Sequence, residues 1–187
     1  MTTITKKIPV GILGATGMVG QRFISLLTNH PWFEVVCVAA SERSVGKSYA
    51  EAIEGRWAQK DGVPENIGKL PVYSVENDVK NIADKVGFVF SAIEAEKDFI
   101  QKIEEAYALA GLPVVSNNSA HRWTLDVPMI MPEINLQHLE MIKVQQKNRG
   151  WRNGFIIAKP NCSIQCYVPM LHAWKKFEPQ KVVVSTY

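Results

Sequence analysis

The chain has 187 residues, 47% of them hydrophobic and 21% charged, a length and balance suited to one globular domain with room for a piece of another. Its 21 basic and 18 acidic residues leave a net charge of +3, and the basic residues are scattered, which speaks against nucleic acid and membrane surfaces as partners. No apolar run approaches the roughly 20 residues of a membrane helix, and Met1 to Lys7 is polar with no apolar signal segment behind it, so a cytoplasmic protein is expected.

In chain order, Lys7 to Leu13 reads as a buried strand, Met18 to Thr28 as an amphipathic helix and Glu34 to Ala40 as a second buried strand. Ser44 to Val75 is turn-rich and is expected to be an excursion with one short helix. A strand follows at Gly87 to Phe90, then a helix over about Asp98 to Ala110 with Phe99, Ile100, Ile103 and Tyr107 on one side, Gly111 as its cap, and a strand at Pro113 to Val115. Leu136 to Asn148 reads as a helix, Phe155 to Ala158 as a strand, Ile164 to Phe177 as a helix and Lys181 to Val184 as a strand. Strands alternating with helices predict an α/β fold with a doubly wound, mainly parallel sheet and right-handed crossovers.

Gly14, Gly17 and Gly20 stand where the first strand meets the first helix. There a glycine permits positive φ, brings backbone N–H groups close to a pyrophosphate and lets helix and strand pack tightly. The G-x-x-G-x-x-G spacing is a variant of the dinucleotide-binding, Rossmann-like turn; a glycine-rich turn without ligand is the plainer alternative. At the end of the second strand, Arg43 between Ser41 and Ser44 suits a ribose 2′-phosphate, whereas Glu42 suits a free 2′-hydroxyl. NADP follows if Glu42 turns away to solvent. Ser91 and Ala92, and Asn117 in the run Ser116 to Ser119, follow two further strands at the edge where such sheets bind ligands, though turn residues are common there.

Cys37, Cys162 and Cys166 form neither a Cys-x-x-Cys pair nor, lacking a histidine neighbour, a metal site. Cys37 lies in a buried strand, and it and Cys166 are expected to be packing residues. Cys162 follows an apolar strand and is expected at the start of a helix, where free N–H groups and the positive end of the dipole favour thiolate. His30, His121 and His138 are poorly placed to serve that thiol, and His172 falls roughly 15 Å further along the expected helix.

The glycine turn, the block Asn118 to Arg122, the block Val127 to Asn135 and the run Pro160 to Ser163 together resemble aspartate-semialdehyde dehydrogenase of the archaeal and fungal type. The resemblance covers essentially the whole chain. It implies conversion of L-aspartyl 4-phosphate to L-aspartate 4-semialdehyde with NADPH, in the pathway to lysine, threonine, methionine and isoleucine. It further implies Cys162 as nucleophile, Asn161 and Ser163 as its flanking site residues, Arg122 as a phosphate-binding arginine, and cofactor contacts at Thr16, Gly17, Met18, Val19, Ser41, Arg43 and Ser44. The family's acid/base histidine, substrate-carboxylate arginine and positioning glutamine are expected beyond Tyr187. On that reading residues 1–159 are an NADP-binding domain, and 160–187 open an α+β catalytic and dimerisation domain of a homodimer or homotetramer. Malonyl-CoA reductase, a relative of similar architecture, is the nearest rival; a nucleotide-binding module without catalysis is the alternative for these residues alone.

Overall fold

A computed structural model describes residues 6–186. Six strands, β1 (Ile8–Leu13), β2 (Phe33–Ala40), β3 (Val72–Ser74), β4 (Phe88–Ser91), β5 (Pro113–Ser116) and β6 (Phe155–Ala158), form one sheet in the order β3-β2-β1-β4-β5-β6. Every neighbouring pair is parallel, so all six carboxyl ends lie along one edge. The chain winds outward in one direction from β1 to β3, then returns to β4 and winds outward in the other. Between β1 and β4 the two directions part, and this is where open α/β sheets hold ligands.

Among the described residues there are eight α-helical segments, α1 (Met18–Leu27), α2 (Tyr49–Ala52), α3 (Glu65–Gly68), α4 (Val79–Ala83), α5 (Lys97–Leu109), α6 (Pro132–Asn135), α7 (Met141–Arg149) and α8 (Val168–Trp174). Ile24 and Leu27 of α1 pack with Val10, Ile12 and Val38 on one face of the sheet, where Tyr49, Ile53 and Ile67 complete the cluster. On the other face Ile82 of α4 and Ile100, Ile103 and Tyr107 of α5 cover Val89, Val114 and Ile156. In β4, β5 and β6 the alternate positions on the first face, Phe88, Phe90, Val115, Phe155 and Ile157, are only half-buried. There α1 contributes Phe23, stacked 4.8 Å from Phe90. Among the described residues no helix is long and apolar enough to cross a membrane.

Several expected elements change. The excursion after β2 holds two four-residue helices and the short strand β3, whose pairing with Val38 to Ala40 is a non-local condition that its three residues do not advertise. The helix expected over Ile164 to Phe177 shrinks to α8 between two 3₁₀ turns. Pro169 stands in its first turn, where the missing N–H costs nothing but cannot extend the helix backward. Leu136 to Glu140 is likewise 3₁₀ before α7 begins. Lys181 to Val184 forms no strand; Val182, Val183 and Val184 are exposed, and β-branched residues make a strand only against a partner.

Candidate active site

The turn after β1 is pressed against two neighbouring strands. The Gly14 and Ala15 N–H groups both donate to Ala39 O, at 2.9 and 3.0 Å. Gly14 has φ +79°, and a Cβ there would lie 2.3 Å from Ala92 O at the end of β4. A Cβ on Gly20 would lie 2.2 Å from Gly14 O, so the second glycine lets α1 start directly against the turn. Buried Tyr49 donates to Ala15 O at 2.8 Å. Buried Gln21 donates to Thr16 O and Arg56 O, both at 3.0 Å, and accepts from Ala58 N–H at 2.7 Å, tying the segment after α2 over the turn.

These contacts shape a cleft of about 470 Å³ lined by Gly14, Thr16, Gly17, Ser41, Glu42, Arg43, Arg56, Ala92, Ile93, Glu94 and Phe99, among others. The N-terminus of α1 opens on it with neither a side-chain cap nor an acidic residue in its first turn, which leaves N–H donors for an anion. Gly14 and Gly20 let the turn pack against Ala92 and α1 pack against the turn, which brings the free N–H groups of α1 to the cleft, an arrangement that matches a dinucleotide pyrophosphate. Of the expected cofactor contacts, Gly14, Thr16, Gly17, Ser41, Arg43 and Ala92 line the cleft. Met18 and Val19 expose their side chains and are not among the residues lining the cleft. Ser44 and Ser91 are buried. Glu42 is exposed, and its carboxylate accepts from Ser74 Oγ and, at 3.0 Å, from Asn77 Nδ2 at the end of β3. Arg43 on the same wall is exposed.

Arg56, Glu94 and Phe99 are cleft residues that the sequence reading missed. Arg56 arrives through the Gln21 hydrogen bonds, a tertiary event with no local signature. Glu94 approaches within 3.2 Å of the position a Gly17 Cβ would take.

Toward the β6 edge of the sheet, Arg122 reaches from the loop after β5 to the turn after β6. Its Nε donates to Lys159 O at 3.0 Å, and its Nη2 lies 3.4 Å from Pro160 O and 3.5 Å from Asn117 O. Two residues on, Cys162 is exposed. It opens a 3₁₀ turn over Cys162–Ile164, not the α-helix expected from sequence; α8 starts only at Val168. The turn is capped by Asn161, whose Oδ1 accepts from the Ser163 N–H at 2.8 Å. Burial, partly offset by the Cys162 thiol, holds the Lys159 ammonium below its usual range. Asn117 and Ser163 lie off the glycine cleft: Asn117 lines a separate apolar hollow with Phe23, Phe90 and Lys159, and Ser163 is exposed in the thiol turn.

The other cysteines differ in setting. Cys37 is buried in β2, and burial pushes its thiol up to about 12. Cys166 is exposed, contrary to the packing role expected of it, with Sγ 3.3 Å from Ser163 O. Among the described residues no three His, Cys, Asp or Glu side chains gather to hold a metal.

A glycine-turn cleft at the parting of a parallel sheet defines a dinucleotide-binding domain, and an exposed thiol lies beyond a strand of the same sheet. Residues 9–142 match the family described as semialdehyde dehydrogenase, NAD binding domain, and the chain belongs to that family. It is 47% identical over 154 residues, 82% of its length, to the aspartate-semialdehyde dehydrogenase of Archaeoglobus fulgidus. The crystal structure of aspartate semialdehyde dehydrogenase with NADP from Candida albicans superposes with a TM-score of 0.78 at 36% identity, covering 93% of this chain and 48% of that one. A further relative, malonyl CoA reductase (NADP) of Metallosphaera sedula, is 32% identical over 97% of this chain. The chain spans about half the length of these curated relatives, 42% of the first and 48% of the last.

Proposed function

We propose that the protein to which this chain belongs is an NADP-dependent aspartate-semialdehyde dehydrogenase, reducing L-aspartyl 4-phosphate to L-aspartate 4-semialdehyde and phosphate through a thioester on Cys162. The observation that carries the reading is the placement of an exposed thiol at the same carboxyl edge of the sheet as a glycine cradle built for a pyrophosphate. NADP is favoured because the Glu42 carboxylate is engaged by Ser74 and Asn77 while Arg43 and Arg56 line the cleft. Residues 1–159 then serve as the cofactor domain, and 160–187 open a catalytic and dimerisation domain of a cytoplasmic homo-oligomer.

The Cys162 sulfur attacks the acyl carbon, the carbon–oxygen bond to phosphate breaks, and inorganic phosphate leaves a thioester behind. Splitting the reduction in two in this way replaces one difficult step by two easier ones. Bound NADPH supplies the hydride that reduces the thioester carbon. The resulting hemithioacetal oxyanion reforms its carbonyl as the carbon–sulfur bond breaks, releasing aldehyde and regenerating the thiolate. Arg122 keeps its Nη1 free of the hydrogen bonds that hold Lys159 and Pro160 and can present it to the departing phosphate. Asn161 caps the turn and fixes the thiol's direction. Proton transfer is assigned to a histidine downstream, since His121 is buried under the β5 loop and His172 belongs to α8.

The test is NADP reduction by the full-length enzyme with aspartate semialdehyde and phosphate. Cys162→Ala is expected to lower kcat by roughly 10³-fold or more with the NADP Kd unchanged. Loss of cofactor binding together with activity would make Cys162 a structural residue. The similarity to a malonyl-CoA reductase supports a second reading, in which coenzyme A is the leaving group; NADPH oxidation with malonyl-CoA but not with the phosphorylated substrate would establish it. Residues 1–187 alone are expected to bind NADPH without turnover.

A further inference from the structure

Glu104 is fully buried in the middle of α5, on the stripe that Ile100, Ile103, Tyr107 and Ala108 present to the core. A carboxylate in that position is costly unless its oxygens are hydrogen-bonded, and an apolar side chain would pack there at no such cost. Its two hydrogen-bond partners, Ser116 and Asn118, lie at the carboxyl end of β5. Glu104 Oε1 accepts from Ser116 Oγ at 2.7 Å and from Asn118 Nδ2 at 3.0 Å. The same Asn118 amide lies 3.0 Å from Ser91 Oγ at the end of β4, and the Asn118 N–H donates to Ser116 Oγ at 3.1 Å. The second oxygen, Oε2, makes no hydrogen bond and faces the equally unpartnered Nε2 of buried His121 at 3.9 Å; the other ring nitrogen of His121 is 3.1 Å from Thr124 Oγ1.

The loop gripped in this way runs directly into Arg122. From Ser116 O a backbone bond of 2.8 Å reaches Lys159 N–H, and Arg122 adds its bonds to the Lys159 and Pro160 carbonyls. These tie the turn preceding Cys162 to the β5 loop. Within the turn, the Asn161–Ser163 and Gln165–Pro160 bonds, at 2.8 and 3.1 Å, set its shape but not its place on the sheet.

We propose that Glu104 is a positioning residue: its buried carboxylate fixes the loop after β5 and, through Ser116 and Arg122, the location of the turn that presents Cys162. The proposal rests on Cys162 as nucleophile. A small displacement of a nucleophile costs large factors in rate, whereas the cofactor cleft at β1 is built by other contacts and should not feel the change. Gln101 Nε2 also holds Ala120 O at 2.7 Å, so the loop remains attached to α5 when Glu104 is altered.

The experiment compares Glu104→Ala and Glu104→Gln in the full-length enzyme. It measures kcat and KM, the NADP Kd, and the relative rates at which limiting iodoacetamide alkylates Cys162 and Cys166, read from peptide masses. With both thiols exposed four residues apart, Cys166 is an internal reference that general destabilisation moves equally. Glu104→Ala is expected to lower kcat about tenfold or more, to change the Cys162 to Cys166 ratio, and to leave the NADP Kd within about twofold. Glu104→Gln keeps an acceptor for Ser116 and Asn118 and is expected to restore most of both. Unchanged kcat and ratio in Glu104→Ala, loss of cofactor affinity in step with kcat, or failure of Glu104→Gln to rescue would each overturn the proposal. If Glu104→Ala does not fold, Asn118→Ala removes one arm of the same grip and is judged by the same readouts. Activity retained in Cys162→Ala would sink the parent reading instead, while the alkylation ratio would still report on the grip.

Discussion

The middle of the sheet and its β6 edge hold their functional groups by different means. Around the glycine turn, position is enforced by exclusion: Gly14 and Gly20 sit where no Cβ fits, and Tyr49, Gln21 and Ala39 pin the backbone on all sides. Around Cys162, position rests on directed hydrogen bonds from one loop, and the thiol and its neighbours in the turn are exposed. Steric fit tolerates almost no substitution but needs no charge, whereas a hydrogen-bonded strut can be weakened one bond at a time. The first arrangement suits a cofactor that must dock in one pose. The second would suit the nucleophile proposed at Cys162, which would become covalently bonded and then let go.

The contrast can be broken or sharpened by mutation. Cys162→Ala, with roughly 10³-fold loss of kcat and intact cofactor binding, carries the largest effect. Gly14→Ala is next: the clash with Ala92 O and the positive φ should cost about 1–3 kcal/mol of stability. It should also weaken NADPH at least about tenfold, seen by calorimetry. Iodoacetamide labelling of Cys162 should stay at its wild-type rate, and a labelling change as large as the affinity change would mean that the two regions are not separate. Arg43→Glu should raise the NADPH Kd by about tenfold or more while leaving the NADH Kd nearly unchanged; equal effects on both would remove Arg43 from the 2′-phosphate.

The smallest effect concerns the excursion between β5 and β6. There Arg149 makes two 2.8 Å bonds to Asp126 and one of 2.6 Å to Glu105, with its guanidinium 5.0 Å from the Trp151 ring. The Arg149 hydrogen bonds hold the Asp126 carboxyl below its usual range. Its stabilisation is therefore complete above about pH 4, the unfolded value, and fades as pH falls through the lowered folded value. Asp126→Asn should cost about 2 kcal/mol at neutral pH, and the difference from wild type in denaturant melts should shrink in acid. A penalty independent of pH would show that charge plays no part.

Much of this was legible in the sequence where one short stretch carries the whole instruction. β1, α1 and β2 announce themselves by continuous apolar runs and by three glycines whose spacing has one geometric use. β3 and the Gln21 bonds to Arg56 and Ala58 were not legible, because each exists only through a partner far along the chain. The thiol turn was read too regularly: Pro169 permits a helix start but not its extension back to Cys162. Glu104 lay in plain view at helical spacing from Ile100, Ile103 and Tyr107. A charge on an otherwise apolar stripe was the available sign of a buried network.

Cys37 adds a property unrelated to catalysis. Its thiol is 1% exposed and reacts as thiolate only when β2 is unmasked, whereas Cys162 and Cys166 meet reagent freely. Counting the thiols of residues 1–187 against time therefore gives two fast equivalents and one slow one. The slow rate clocks the spontaneous opening of the sheet at its second strand, so the native protein carries its own gauge of how often that strand comes free.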